Sequence, residues 1–199
     1  MPSIPTQRPI KILLTGFGSF RNHEKNASFD IVKQASESGG FDSEDGNSAV
    51  ELVVHPEPVR VSYRTVNELL SRLYQTHPDL NLVIHTGISQ LPRAKFLLKK
   101  IAYWEHYKSP DVDGLFPDPS LSDSETRPAS LSSSVMLDQL VERVQDQISQ
   151  PINLKVSENA GLFLCEYIYY SSLLRFKNLT NSNPEPPSTR TDQSLSFGH

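Results

Sequence analysis

Cysteine is nearly absent from this chain, since Cys165 is the only one among 199 residues. A single thiol cannot close a disulfide within the chain, so the composition gives no sign of an oxidising compartment. Long apolar runs are absent too: the first one, residues 10–14, is too short for a signal peptide or a membrane span. We therefore expect a cytoplasmic, specifically cytosolic, protein that makes no membrane contact.

An excess of positive charge is also lacking. The 19 lysines and arginines are scattered along the chain and outnumbered by 23 aspartates and glutamates, which gives a formal net charge of -4. Nucleic acid is therefore not an expected partner. No set of histidines and carboxylates has the spacing of a metal site, and we expect neither a metal nor a cofactor.

The distribution of apolar residues predicts one domain with two tails. Residues 10–176 carry the patterned apolar segments and are long enough to bury a core. Residues 1–9 are polar and rich in proline, and residues 177–199 hold little that could be buried. Because such segments cannot repay the entropy of ordering, we expect both tails to be disordered.

Strand and helix patterns alternate within the domain. A nearly continuous apolar run at residues 80–86 is typical of a central parallel strand. We predict further strands at residues 10–14, 50–54 and 152–156, and helices that begin near residue 27, cover 65–74 and 136–148, and contain Cys165. This alternation predicts a three-layer α/β/α fold with a mostly parallel central sheet, and an irregular region at residues 88–134. The loops after strands 10–14 and 80–86 should meet the loop that precedes Cys165.

Cys165 follows a turn of small residues and opens an apolar, aromatic helix pattern. The positive end of a helix dipole lowers the pKa of a thiol and favours the nucleophilic thiolate. The alternative is that Cys165 is a small buried apolar residue, as free cysteines commonly are. The local sequence leaves both interpretations open.

Three motifs together resemble pyroglutamyl peptidase type I, the C15 family of cysteine peptidases. They are Thr15-Gly16-Phe17-Gly18-Ser19-Phe20 followed by Asn26-Ala27-Ser28, the strand Val83-Ile84-His85-Thr86-Gly87, and the segment from Asn159 to Tyr170 with Ala-Gly-x-x-Leu-Cys. Tyr107 and Asp111-Val112-Asp113-Gly114 are similar to the fungal branch of the family. The resemblance runs from about residue 10 to residue 174.

The resemblance implies that N-terminal pyroglutamate is removed from peptides by acyl transfer to the thiolate of Cys165. It places Phe17 and Phe20 on either side of the pyroglutamyl ring, and Gly87 in the same substrate site. Core packing is the alternative role for the two phenylalanines. The chemistry also needs a histidine as base, a carboxylate that orients it, and backbone N–H groups for the oxyanion.

The chain departs from the family at the orienting carboxylate and at the histidine. Lys99 stands at the position of the family glutamate when residues are counted back from Tyr107, and Leu98 stands there when they are counted forward from Gly87. The family histidine lies on a strand about twenty residues after the cysteine, where this chain has Asn183-Pro184-Glu185. We therefore expect the C-terminal strand and helix of the family to be missing.

The histidines that the chain does have are poor candidates for the missing base. We expect His85 to be a buried core residue, His106 and its neighbour Glu105 to lie at the surface, and His199 to have no fixed position in its tail. His23 follows the aromatic loop and is the remaining alternative. His55 and His77 complete the set.

Three functions remain in competition. The first is a pyroglutamyl-peptidase-like protein, a pseudoenzyme or remnant whose activity is greatly weakened or lost. The second is an active peptidase whose C-terminus has been mis-assigned or alternatively spliced. The third is a module that binds pyroglutamyl ends without cleaving them. The expected partners are N-terminal pyroglutamyl peptides and, since a missing strand would leave an open sheet edge, a second copy of the chain.

Overall fold

The computed structural model describes residues 8–20, 25–38, 41–42, 49–88, 95–104, 107, 109–118, 127–182 and 193–198. The elements in chain order are β1 (Ile10–Gly16), α1 (Ala27–Glu37), β2 (Phe41–Asp42), β3 (Ala49–Val54), α2 (Tyr63–Thr76), β4 (Leu82–Gly87), β5 (Phe96–Lys99), β6 (Ile101–Tyr103), β7 (Ser130–Ser132), α3 (Leu137–Gln147), β8 (Leu154–Ser157), α4 (Leu164–Ser182) and β9 (Gln193–Gly198).

Seven strands form one sheet in the order β2-β3-β1-β4-β9-β5-β8. The pairs β1–β3, β1–β4, β4–β9 and β5–β8 are parallel, whereas β2–β3 and β5–β9 are antiparallel. The predicted α/β class and mostly parallel sheet are thus confirmed, with β4 inside the sheet as its apolar run indicated. A separate two-stranded ribbon joins β6 to β7.

Helices pack on both faces of the sheet. Val83 of β4 lies in a core cluster with side chains of α2 and α4. Its neighbours Leu82 and Ile84 point the other way and pack against the cluster that contains Leu137 of α3. Because successive side chains of a strand point to opposite faces, this arrangement gives the three predicted layers. No helix in the described part of the chain is both long and apolar enough to cross a bilayer.

The junction between β1 and α1 shows why two motif residues are needed. Asn26 caps α1, since its side-chain oxygen accepts a hydrogen bond from Ser28 N at 3.1 Å. Gly16 lies so close to the first turn of this helix that a Cβ there would be 2.6 Å from Phe29 Cα and from Ser28 O. The missing side chain of Gly16 therefore allows β1 and α1 to pack in contact.

His85 is a buried core residue, as expected. Its ring lies between two hydroxyl groups, with Nδ1 2.7 Å from Thr15 Oγ1 and Nε2 2.8 Å from Ser172 Oγ. The residue is 1% exposed, and burial lowers its pKa from 6.5 to about 3. The ring therefore links β1, β4 and α4 in its neutral form.

We expect stability to fall in mild acid because of His85. The unfolded chain takes up a proton near pH 6.5, whereas the folded ring does so only near pH 3, so the stabilisation is full above pH 6.5 and decreases as pH falls towards 3. At pH 4.5 the loss amounts to roughly 2–3 kcal/mol. Urea denaturation at pH 7.5 and 4.5 measures it. His85→Gln, which cannot titrate, should lose clearly less between these two pH values, and an equal loss would contradict the assignment.

The region after the central strand is more regular than predicted. Residues 88–134 were expected to be irregular, yet they contain β5, β6 and β7. Each strand is only three or four residues long, and Lys99 separates the apolar residues of β5 from those of β6. Such short segments are too brief for a period of two to become visible in the sequence.

The prediction that residues 177–199 form a disordered tail is wrong at two places. Helix α4 continues beyond residue 176 to Ser182, and β9 lies inside the sheet between β4 and β5. A C-terminal strand is therefore present, and it fills the place between β4 and β5 where its absence would have left an open edge. The reason is that β9 gains backbone partners on both sides, and these non-local hydrogen bonds are invisible in its polar sequence Gln-Ser-Leu-Ser-Phe-Gly.

Candidate active site

Cys165 is the second residue of α4, where the sequence placed it. The turn before the helix is tight: Gly161 and Leu162 have φ values of 98° and 58°. The side chain of Asn159 closes this turn, because its Oδ1 accepts a hydrogen bond from Gly161 N at 2.8 Å. Although β8 runs opposite to β4, the segment 158–163 carries the start of α4 back to the carboxyl end of β4.

Three of the predicted site residues come together at that point. A Cβ on Gly87 would lie 2.8 Å from Cys165 Sγ and 3.7 Å from Phe17 Cδ2, so only glycine leaves room for the thiol. Phe17 is 2% exposed, and its backbone bridges to Val59. Phe20 is partly buried and packs against the same core cluster. Phe17 therefore serves in the core, and its ring lies close to Gly87, while the role of both phenylalanines at the substrate ring stays a prediction.

Burial dominates the ionisation of Cys165. It raises the pKa of the thiol to about 11, and this effect exceeds the lowering by a backbone hydrogen bond and by the charge of Lys99. The expected lowering by the helix terminus is therefore outweighed. The thiol is protonated at neutral pH unless a neighbouring group removes its proton.

Lys99 is buried beside the nucleophile loop and is only 7% exposed. Its Nζ donates hydrogen bonds to Asn159 O at 2.7 Å and to Ser157 Oγ at 3.3 Å. Burial lowers the pKa of this amine, while Glu166 and Cys165 oppose the lowering. The position that resembles that of the family glutamate therefore holds a base of opposite charge, tied to the loop that leads to Cys165.

Glu166 is the most important site residue that the sequence analysis missed. It is fully buried, and its carboxylate accepts hydrogen bonds from Tyr103 N at 2.9 Å and from Leu162 N at 2.5 Å. Burial raises its pKa, and the two backbone donors and Lys99 lower it. Its position directly after the cysteine was a signal, because a carboxylate in an otherwise apolar helix start needs partners.

An aromatic cluster covers the other side of α4. Tyr63 packs edge to face against Tyr167 at 5.0 Å between ring centroids, and Tyr107 lies 5.6 Å from Tyr167. Trp104 extends the cluster, and the guanidinium of Arg127 sits 4.4 Å above its ring. The aromatic spacing in α4 was visible in the sequence, whereas its partners come from three distant segments.

No described histidine is hydrogen-bonded to Cys165. The ring of His85 is occupied by its two hydroxyl partners, and His77 is the C-cap residue of α2. His23, His106 with Glu105, and His199 lie outside the described residues, so the structure does not place them. Within the described ranges, no group of His, Cys, Asp and Glu side chains is arranged to hold a metal ion.

The sheet and the thiol at the end of its central strand define a class, the α/β proteins with a candidate cysteine nucleophile at the start of a helix. The fold is similar to that of the pyrrolidone carboxyl peptidase of Fervidobacterium islandicum AW-1, with a TM-score of 0.72 at 26% identity, covering 95% of this chain and 80% of that one. Pyroglutamyl-peptidase 1 of the rat is 30% identical over 176 residues, which are 88% of this chain and 78% of the relative.

The human pyroglutamyl-peptidase 1 is 31% identical over 162 residues, covering 81% of this chain and 72% of the relative. The family profile described as pyroglutamyl peptidase matches residues 10–183. The chain therefore belongs to the pyroglutamyl peptidase family, peptidase C15, which confirms the resemblance carried by its three motifs.

Proposed function

We propose that this protein binds N-terminal pyroglutamyl peptides and hydrolyses them very slowly, as an impaired member of its family. The observation that carries this proposal is the pair formed by Cys165 and Lys99. With a pKa of about 11, roughly one thiol in 10⁴ is ionised at pH 7. A lysine at the place of an orienting carboxylate would also repel an imidazolium, so the usual activation of the thiol is weakened.

The substrate side of the site supports retained binding. Cys165 and Phe17 both lie close to Gly87, and Phe20 packs against the core cluster that contains Phe17. These residues match the family motif, and the flat apolar faces of the two phenylalanines suit a small planar lactam ring. The free thiol is consistent with a cytosolic site of action, which is part of the proposal, and self-association stays an expectation.

The experiment is release of a fluorophore from a pyroglutamyl arylamide. We expect a rate about 10⁴-fold or more below that of the rat enzyme measured in parallel, because the loss of triad members that act together typically costs this much. Cys165→Ser should remove the remaining activity. Calorimetry with a pyroglutamyl dipeptide should still detect binding. A wild-type rate within tenfold of the rat enzyme would overturn the proposal.

One observation favours a second candidate, an active peptidase. Gly198, at the end of β9, pairs with Gly87, the residue against which the thiol of Cys165 packs. His199 follows Gly198 in the sequence, and successive Cα atoms are about 3.8 Å apart. An imidazole attached at this point of the chain is a candidate base for Cys165.

The two candidates differ in their dependence on His199. Under the second one, the arylamide is cleaved at an ordinary family rate, and His199→Ala lowers kcat by about 10³-fold or more. Under the first one, His199→Ala leaves the slow wild-type rate nearly unchanged. The six residues that the structure describes in β9 keep their backbone in this variant, so its melting temperature serves as the control for folding.

A further inference from the structure

We propose that a cleft between α2 and α4, called the α2–α4 cleft below, binds a small organic anion that carries a carboxylate. The cleft has a volume of about 240 Å³, which is below the roughly 300–1,000 Å³ of sites for drug-sized ligands and therefore suits a smaller molecule. The proposal goes beyond the proposed function, because it concerns a second site and does not depend on peptidase activity. The walls of the cleft are formed by Asn67, Ser71, Tyr74 and Gln75 of α2 and by Ser171 and Arg175 of α4.

Arg175 gives the α2–α4 cleft a positive charge. Its guanidinium lies 5.9 Å from the centre of the Tyr74 ring, so the aromatic face holds the cation beside the cleft. Among the described residues, no carboxylate forms an ion pair with this guanidinium, and no aspartate or glutamate lines the cleft. A guanidinium presents paired N–H groups that match the two oxygens of a carboxylate. An incoming carboxylate would therefore supply the counter-ion that the cleft lacks.

Uncharged hydrogen-bond donors line the cleft together with this cation. The Oδ1 of Asn67 accepts a hydrogen bond from the Tyr167 hydroxyl at 2.8 Å, which fixes the amide and leaves its N–H groups for a further acceptor. Ser71 and Ser171 add a hydroxyl from each helix, and Gln75 adds a second amide. These donors can bind the oxygen atoms of an anion without bringing a competing negative charge.

A buried hydroxyl belonging to the wall of the cleft is unsatisfied. Tyr74 is 7% exposed, and its hydroxyl makes no hydrogen bond within the described part of the chain. The nearby Ser172 Oγ lies 2.8 Å from His85 Nε2 instead. Buried polar groups in native proteins nearly always have a partner, and leaving one unmade is costly. The unsatisfied hydroxyl therefore indicates that this wall would be stabilised by a further polar group, such as the oxygen of a ligand.

The cleft is a different place from the candidate active site, although both use α4. Ser171 and Arg175 lie 6 and 10 positions after Cys165 in the sequence. On an α-helix these separations correspond to about 9 and 15 Å along the axis. Leu70 also lines the cleft and is only 5% exposed, so the cleft rests on the core between the helices. A ligand seated there would contact α2 and α4 together.

An NMR titration with succinate tests the cleft, and succinamide is the matched neutral compound. The two molecules have the same number of non-hydrogen atoms, but only succinate carries carboxylates. We expect the wild type to bind succinate with a Kd on the order of 1 mM. Succinamide should bind about tenfold more weakly or worse, because hydrogen bonds between a guanidinium and a carboxylate are stronger than those to a neutral amide.

Arg175→Gln should weaken succinate binding by about tenfold or more, because it keeps a polar side chain but removes the charge. The matched control is Arg72→Gln, which changes the net charge equally; Arg72 is exposed on α2 and does not line the cleft. It should bind succinate like the wild type. The slow cleavage of the arylamide should be the same in Arg175→Gln and the wild type, so failure of the cleft and failure of the proposed function are distinguishable.

Three results would overturn the inference. One is an Arg175→Gln variant that binds succinate as tightly as the wild type. Another is displacement of succinate by a pyroglutamyl dipeptide, since the anion would then occupy the candidate active site. The third needs no variant: in the wild type, the Nε–Hε signal of Arg175 should shift on addition of succinate while that of Arg72 should not. An Arg175 signal that is unchanged up to about 20 mM succinate would refute the site.

Discussion

Phe197→Pro is expected to lower the melting temperature by roughly 6–12 °C relative to Phe197→Ala, through the loss of about 3 kcal/mol or more. Phe197 pairs with Thr86 of β4 on one side and with Leu98 of β5 on the other. Whichever neighbour its N–H group faces, proline removes a hydrogen bond from the centre of the sheet. The alanine variant loses the same aromatic side chain but keeps the N–H group, so the difference between the two isolates the backbone.

Thermal unfolding followed by circular dichroism measures this difference. Soluble domains have a net stability of only about 5–15 kcal/mol, so a loss of this size is a large share of the total. Two variants with the same melting temperature would show that β9 contributes little to the sheet. In that case the original expectation of a tail without structure would return.

Glu166→Leu is the substitution with the second large expected effect, a loss of about 2–6 kcal/mol in the free energy of unfolding, because each of two buried N–H groups left without an acceptor costs about 1–3 kcal/mol. Leucine has a similar volume but cannot accept hydrogen bonds, so Tyr103 N and Leu162 N lose their recorded side-chain acceptor. The carboxylate also favours the charged form of Lys99 electrostatically, and this stabilisation is lost when Glu166 is removed.

Urea denaturation at pH 7 gives this free energy. The matched control is Glu158→Leu, because Glu158 is exposed and lies in the loop that precedes α4. Its substitution should change the free energy of unfolding by less than about 0.5 kcal/mol. If the two variants were equally stable, the hydrogen bonds of Glu166 would have no net stabilising role.

The elements that the sequence predicted well are those whose signals are local. Helix α1 begins after its asparagine cap, α2 has apolar residues spaced along one face, and β4 is a continuous apolar run. The proximity of Gly87 and Cys165 also followed from the sequence, since the loop after β4 was expected to meet the loop that precedes Cys165. In each case a short stretch of sequence contains the cause of the structure.

The features that sequence reasoning missed depend on distant partners. Strand β9 is polar and exists through its pairing with β4 and β5. The pKa of Cys165 depends on burial of the thiol by the packed sheet and helices. Burial raises this pKa by more than the start of the helix lowers it. Glu166 finds its donors in Tyr103 and Leu162, and neither contact can be read from the cysteine motif alone.

The place of β9 also sets an order for assembly of the sheet. Leu82 pairs with Gln193, so two strands in contact at the centre are separated by 111 positions along the chain (193 minus 82). Closing so long a loop is slow, and until it closes the sheet consists of two halves with unpaired backbone along β4 and β5. Until β9 docks, we expect these two unpaired strand edges to be the places where the chain self-associates.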